Sequence, residues 1–145
     1  MKNKILIMPL FLSIILVGCG GEKVDPSTYH FSPAQYAELE RTVGCDSKYS
    51  DDKKDDIFKE KYEKRWMEWS GEVYTAYKEK ISMQIDGEGT QDLLVFFADE
   101  KSGYDLNEGD RVTVRFVMTY AGGCFLPYTG KHAILKSQPP SQRSK

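Results

Sequence analysis

The chain has 145 residues, a formal net charge of −2 and three cysteines. This length is enough for one domain, and the slightly acidic balance gives no positive field for nucleic acid, so no nucleic-acid partner is expected. The sequence has two histidines, which are far apart, and no nucleophile-elbow, phosphate-loop or zinc-protease motif. We therefore expect a protein without enzymatic activity, metal or cofactor.

The first 18 residues have the pattern of a bacterial signal peptide. Lys2 and Lys4 precede an apolar run over residues 5–17, which is too short to span a membrane as a helix. The run leads into Leu-Val-Gly-Cys at residues 16–19, which resembles the lipobox of bacterial lipoproteins. The resemblance implies cleavage before Cys19 and acylation of its sulfur and its amino group. The alternative is an ordinary secretory signal peptide in which Cys19 is incidental.

Gly20 follows this cysteine, whereas an aspartate there would resemble an inner-membrane retention signal. The expected location is therefore the bacterial cell envelope, as an outer-membrane lipoprotein that faces the periplasm. Residues 19–30 are polar and contain two glycines and a proline, a composition typical of a lipid anchor followed by a flexible tether. Residues 137–145 contain two further prolines and predict a disordered tail.

Two cysteines remain once Cys19 carries lipid. In an oxidising compartment a remaining pair usually forms a disulfide, so the sequence favours a bridge between Cys45 and Cys124. A pair of metal ligands and two free thiols are the alternatives.

Two short helices are predicted before the strands. Ser32 fits the N-cap of the first helix, Tyr36 and Leu39 recur at its spacing, and Gly44 fits its C-terminal end. The second helix is predicted over residues 53–64, after an aspartate-rich stretch. The aspartates lack the spacing of a calcium-binding EF-hand loop, and helix capping explains them instead.

Alternation of apolar and polar residues predicts five strands after the helices. Gly71, in the middle of the first strand, suggests a bulge. The third strand, residues 92–98, is apolar on both faces, so both faces are expected to be covered. The other strands are expected at residues 65–76, 80–86, 111–120 and 131–136. On the first strand, one face is predicted to hold Met67, Trp69, Gly71, Val73 and Thr75. On the fourth strand, one face is predicted to hold Val112, Val114, Phe116, Met118 and Tyr120.

Three segments resemble one known family. They are Tyr62-Glu63-Lys64, Trp-Ser-Gly-Glu-Val at residues 69–73, and L-x-x-G-D-x-V at residues 106–112. They resemble the lipoproteins and exported proteins of the tRNA-anticodon-binding-like OB-fold family, whose name reflects fold ancestry and does not imply tRNA binding. The resemblance implies that residues 31–136 form a mostly β (α+β) domain, a five-stranded OB-type barrel preceded by two short α-helices. The cysteine pair and the long segment of residues 122–130 depart from the family pattern.

The OB fold also implies where a ligand would bind. Ligands of OB domains lie across strands two and three, between the loops that join strands one to two and four to five. Aromatic rings with lysines in these places suit stacking on a sugar, a peptide or a base. The alternative is that the aromatics close the ends of the barrel and the lysines are solvated. The candidate binding surface comprises Tyr74, Tyr77, Lys78, Lys80, Ser82, Gln84, Phe125 and Tyr128.

These features favour a lipid-anchored envelope OB-fold protein that binds or interacts without catalysis. Its expected partners are the membrane, through the N-terminal lipid, and an envelope protein or glycan. The alternative is an inhibitor of an envelope-targeting enzyme such as lysozyme. Exported lysozyme inhibitors are disulfide-bonded β-barrel lipoproteins with a Ser-Gly-x-x-Tyr loop, which Ser102-Gly103-Tyr104 resembles without the two intervening residues, and Tyr128-Thr129-Gly130-Lys131 resembles their second loop.

Overall fold

The structure, a computed structural model, describes residues 25–137. The predicted signal peptide, the lipidation site Cys19 and residues 138–145 of the predicted tail lie outside the described residues. Within them, no helix is long and apolar enough to cross a membrane. The helices are α1 (Tyr36–Thr42) and α2 (Asp51–Lys61), and the strands are β1 (Trp66–Ala76), β2 (Lys80–Gln84), β3 (Leu93–Phe97), β4 (Arg111–Tyr120) and β5 (Tyr128–Ser137).

The five strands form a closed barrel in the order β1-β2-β3-β5-β4. Pairing of β1 with β4 closes the barrel, and β3 and β5 run parallel while the other neighbours are antiparallel. This is a small Greek-key barrel of the OB type, in which closure leaves no free sheet edge. The predicted fold class, a five-stranded OB-type barrel preceded by two short helices, is confirmed.

The first strand is shared between two partners because it is long and coiled. It pairs with β4 up to Glu72 and with β2 from the same residue onward. Gly71 lies just before this point, where a Cβ atom would collide with the backbone carbonyl of Gln84, so only glycine allows the close approach. The bulge lies at residues 73–75, beyond the predicted position. Beyond the bulge, Thr75 pairs with Ser82, and Ala76 rather than Thr75 packs against the core.

One end of the barrel is closed by α1 around Trp69. The Trp69 side chain is 1% exposed, and its Nε1 donates to the carbonyl of Ala34 at 2.8 Å. The rings of Tyr36, Phe116 and Tyr128 meet the indole edge-on, with centroid distances of 5.2–5.9 Å. Such edge-to-face contacts add to the burial of apolar area. The indole therefore joins α1 to three strands of the barrel.

Both helices begin at positions other than those predicted. Ser32 is not the N-cap of the first helix, because its N–H bonds to the carbonyl of Trp66 at 2.7 Å and holds this residue beside β1. Consequently α1 begins only at Tyr36. The second helix begins at Asp51, two residues before its predicted start, and Ser50 precedes it in extended conformation. Acidic residues in this first turn are favoured by the helix dipole.

Residues 25–30, assigned to the flexible tether, pack on the outer wall of the barrel. The indole Nε1 of Trp66 donates to the carbonyl of Pro26 at 2.8 Å, and the Trp66 N–H donates to the carbonyl of His30 at 2.9 Å. The guanidinium of Arg115 lies 5.3 Å from the ring centroid of Phe31 and 5.8 Å from that of Trp66. The N-terminal segment therefore joins the barrel beside the start of β1.

Three strand predictions also need correction. Tyr120 is half-exposed rather than in the core, because the pairing of β4 with β5 shifts register between Met118 and Tyr120. The last strand begins at Tyr128, three residues before its predicted start, and runs on to Ser137, which was assigned to the tail. The third strand is fully buried on its inner face, whereas Leu94 and Phe96 on its other face are only half-buried, so that face is covered in part.

Candidate functional site

The loop between β1 and β2, residues 77–79, is held rigidly at one end of the barrel. The Tyr77 N–H bonds to the carbonyl of Lys80 at 2.9 Å and closes a tight turn. The Gly103 N–H donates to the carbonyl of Lys78 at 3.0 Å, and the Phe97 N–H donates to the carbonyl of Glu79 at 2.9 Å. Two neighbouring segments of the fold thus fix the backbone that carries the exposed side chains of this loop.

Aromatic rings and lysines alternate on this rigid loop and the surface beside it. The Nζ atom of Lys80 lies 5.2 Å from the ring centroid of Tyr77 and 5.7 Å from that of Phe96. The Nζ atom of Lys78 lies 5.6 Å from the ring centroid of Tyr104. These distances are those of cation–π contacts. We call these five residues the aromatic–lysine patch.

The patch keeps its charges and its rings accessible. Tyr77 is 55% exposed and Tyr104 is 67% exposed. In the part of the chain that the structure describes, only Lys54 and Asp51 form an ion pair with a nitrogen–oxygen distance below 4.0 Å. Neither patch lysine therefore has a carboxylate within that distance there. An ammonium group that rests on a ring and is not held in an ion pair keeps its charge available to an anionic ligand.

The structure brings together only part of the predicted surface. Tyr77, Lys78 and Lys80 belong to the patch. Tyr74 is exposed at the β1 bulge, Ser82 is buried and bonds to the Thr75 hydroxyl, and Gln84 donates to the carbonyl of Gly89 at the far end of β2.

Two patch residues were absent from the predicted surface. The antiparallel register of β2 and β3 places Phe96 opposite Lys80. Aligning the alternating residues of the two predicted strands would have indicated this pair. Tyr104 was noted only for the lysozyme-inhibitor resemblance, and its sequence gives no sign that the β3–β4 loop meets the β1–β2 loop. Both therefore join the site through tertiary packing.

Tyr128 is a core residue and is removed from the predicted binding surface. It is 3% exposed, its ring meets those of Tyr36 and Trp69 edge-on, and its N–H bonds to the carbonyl of Asp92. Burial raises the pKa of its phenol far above the ordinary value of 10.0, and the charge of nearby Glu40 adds to the effect. The alternative interpretation, that aromatics close the end of the barrel, holds for this residue.

Two further phenols link α1 to its neighbours: the half-buried Tyr36 bonds from α1 to the barrel, and the buried Tyr62 bonds to α1 from the end of α2. Burial raises the pKa of Tyr36, whose hydroxyl donates to a carboxylate oxygen of Asp92 at 3.1 Å. Burial likewise raises the pKa of Tyr62, whose hydroxyl donates to Glu38 at 3.1 Å. Both phenols therefore stay protonated and act as hydrogen-bond donors between elements.

The loop between β4 and β5 ends in a small disulfide-clamped hairpin. Gly123 and Leu126 exchange two backbone hydrogen bonds of 3.1 Å, which leaves Cys124 and Phe125 at the turn. Phe125 is 99% exposed and Leu126 is 60% exposed. We call Phe125 and Leu126 the hairpin tip. The predicted disulfide is confirmed: Cys124 is bonded to Cys45 just after α1, with a Cα–Cα distance of 5.1 Å.

A shallow cleft of about 240 Å³ separates this hairpin from the start of α2. Its polar walls include Asp51, Lys54 and Asp55, and Lys54 is already paired with Asp51 at 3.7 Å. Across residues 25–137, no three His, Cys, Asp or Glu side chains cluster in a way that could hold a metal ion. The cleft is thus a small gap beside the disulfide, and its lysine is paired with Asp51.

The patch and the hairpin tip lie at opposite ends of the barrel. Leu93 at the start of β3 pairs with Tyr128, just after the hairpin, whereas Phe97 at its other end bonds to Glu79 beside the patch. The two loops expected to flank one binding surface are therefore separated by the length of β3. They form two independent exposed features.

Comparison with known proteins found no matching family model, no matching curated protein and no matching solved structure. The OB-type assignment accordingly depends on the strand order and pairing of the barrel itself.

We expect the two aromatics of the predicted β4–β5 surface to respond differently to one substitution. Tyr128→Leu should lower the free energy of unfolding by about 2 kcal/mol, because it removes a packed ring from the core. The matched change Phe125→Leu should alter it by less than about 0.5 kcal/mol, because Phe125 contacts solvent. Urea unfolding followed by circular dichroism measures both, and equal losses would contradict the assignment of Tyr128 to the core.

Proposed function

We propose that this protein is a lipid-anchored binding protein of the bacterial cell envelope, held in the outer membrane and facing the periplasm, without catalytic activity. The lipobox-like residues 16–19 support the anchor. The disulfide between Cys45 and Cys124 supports an oxidising compartment, since such bridges rarely persist in a reducing cytosol. In that compartment, envelope components would be its available partners.

The aromatic–lysine patch is the observation that supports a binding role. Its exposed tyrosine rings offer flat apolar faces, and within residues 25–137 its ammonium groups form no ion pair shorter than 4.0 Å. Flat faces suit stacking on sugar rings or on apolar side chains, and ammonium groups suit carboxylate or phosphate groups beside them. An envelope protein or an envelope glycan that carries anionic groups fits this chemistry.

The composition of the patch argues for binding without reaction. Its five members are two tyrosines, two lysines and a phenylalanine, and it has no histidine, the most frequent general acid–base residue, and no carboxylate to take a proton from a lysine or tyrosine. The backbone hydrogen bonds to Lys78 and Glu79 hold its loop in place. A preformed surface loses little conformational entropy on binding, which suits recognition.

Site-specific photo-crosslinking in intact envelopes tests this proposal. A photoreactive amino acid at Tyr104 should give a discrete adduct, and the same amino acid at Tyr49, an exposed tyrosine before α2, serves as the matched control. Adding Tyr77→Ala and Lys80→Ala should reduce the Tyr104 adduct about tenfold, since both contacts are lost. Protease or glycosidase digestion then identifies a protein or a glycan partner. Equal adducts from Tyr104 and Tyr49 would contradict the proposal.

The exposure of Tyr104 also favours one alternative function, inhibition of lysozyme. Its ring is exposed at the surface, but Gly103 is buried and its N–H donates to the carbonyl of Lys78, so Ser102 and Gly103 do not project with it. Under the binding proposal, the purified protein at molar excess leaves the rate of lysozyme-induced clearing unchanged. Stoichiometric slowing of clearing, lost on Tyr104→Ala, would replace the binding proposal with the inhibitor.

A further inference from the structure

The hairpin tip is an apolar projection whose exposure the fold does not explain. Phe125 and Leu126 extend from a turn that is fixed by the disulfide and by two backbone hydrogen bonds. Residues 116–130 contain no charged residue, so the tip and both strand ends behind it are uncharged. Exposed apolar groups on a rigid projection are typical of a surface that meets an apolar partner.

The N-terminal segment joins the barrel at the same end as the hairpin. Trp66, which holds residues 26 and 30 by hydrogen bonds, pairs with Val117 near the end of β4. The hairpin follows only a few residues later, after Tyr120. The start of the described chain and the hairpin tip therefore share one side of the molecule, opposite the aromatic–lysine patch.

The length of chain before this point limits how far the domain can lie from a membrane. Cys19 precedes Asp25 by six residues, and six extended residues span at most about 20 Å. Since residues 25–31 are packed on the barrel, they add no reach. A lipid on Cys19 would thus keep the hairpin end of the barrel close to the bilayer surface.

We propose that the hairpin tip inserts Phe125 and Leu126 into the interface of the bilayer that holds the lipid on Cys19. This inference rests on the lipidation in the proposed function. The bilayer is the partner because it is apolar, lies on the same side and is within reach. The contact is made by uncharged residues, so it needs no anionic lipid.

Such a contact would turn the barrel into an oriented domain. Two attachment points, the lipid and the tip, restrict rotation of the domain about its short tether. The aromatic–lysine patch, at the other end of β3, then points away from the membrane toward the periplasmic space. This orientation would leave the patch open to partners that are not in the same membrane.

Tryptophan fluorescence of the mature lipidated protein in phosphatidylcholine vesicles tests the insertion. Phe125→Trp is the probe, and Tyr104→Trp, an exposed tryptophan in the patch, is the matched control. The two native tryptophans, Trp66 and Trp69, contribute the same background to both. Brominated lipid should quench the emission of the residue-125 probe about twofold and leave that of the control unchanged. High salt should not reduce the quenching, because no charges make the contact.

Vesicle flotation in the same samples separates this inference from the anchor. Protein that floats and shows quenching only at residue 125 supports the insertion. If the protein floats and the residue-125 probe is quenched no more than the control, or loses its quenching in high salt, the insertion is overturned and the anchor stands. Failure to float overturns both. Because Phe125 contacts only solvent in the domain, an unchanged far-ultraviolet circular dichroism spectrum is expected for the Phe125→Trp variant.

Discussion

Replacing Trp69 with alanine is expected to lower the free energy of unfolding by about 3–5 kcal/mol, a large share of the stability of a domain of this size. The substitution removes a 1% exposed indole that contacts aromatic rings of α1, β4 and β5. It also leaves the carbonyl of Ala34 without its 2.8 Å donor, since Trp69 Nε1 supplies that hydrogen bond. Urea unfolding followed by far-ultraviolet circular dichroism measures the loss.

Trp66 provides the matched control for this substitution. It is three residues away on the same strand but faces the outer wall, where it is half-buried under the N-terminal segment. Trp66→Ala should therefore cost about 1–2 kcal/mol, less than the loss at Trp69. A Trp69 variant that unfolds no more easily than the Trp66 variant would contradict the central role given to Trp69.

Removing the disulfide is expected to cost about 4–5 kcal/mol, because the bridge closes a long loop and restricts the unfolded chain. Cys45 and Cys124 are 79 residues apart in sequence. The double variant Cys45→Ala and Cys124→Ala should show this loss in urea unfolding. The loss arises in the unfolded state, so the folded barrel should keep its circular dichroism spectrum.

Reduction of the wild-type protein provides an independent control for the bridge. Dithiothreitol should lower its stability to that of the double variant and should leave the double variant unaffected. Amide exchange at residues 121–127 should also accelerate, because the hairpin loses its covalent link to the end of α1. Unchanged stability on reduction would contradict the entropic role of the bridge.

The fold was largely predictable from the sequence because its strands bury one face. Period-two alternation identified the core face of β4 from Val112 to Met118, and the cysteine count identified the bridge. The errors come from properties of strand pairs. A bulge opposite β2 moves Thr75 off the core face, and a register shift against β5 exposes Tyr120. Neither shift is visible in one strand alone.

The candidate site was less predictable because distant segments build it. Tyr77, Lys78 and Lys80 are neighbours in sequence and were identified together. Phe96 reaches them only through the β2–β3 register, and Tyr104 only through the backbone bond between Gly103 and Lys78. Tyr128 was wrongly assigned to the binding surface for the same reason. Its neighbours in sequence are typical of a loop, but it pairs with Leu93 of β3 and so belongs to a strand.

The way the barrel closes also determines when it can fold. Trp66 pairs with Val117, and the parallel pairing of β3 with β5 begins only at Tyr128. Both pairings join residues far apart in sequence, which slows folding relative to a helical protein of equal length. No fragment that ends before β5 can complete the barrel, since β3 and β4 would each lack a neighbour. The domain is therefore expected to fold only after its last strand is available, as a single cooperative unit.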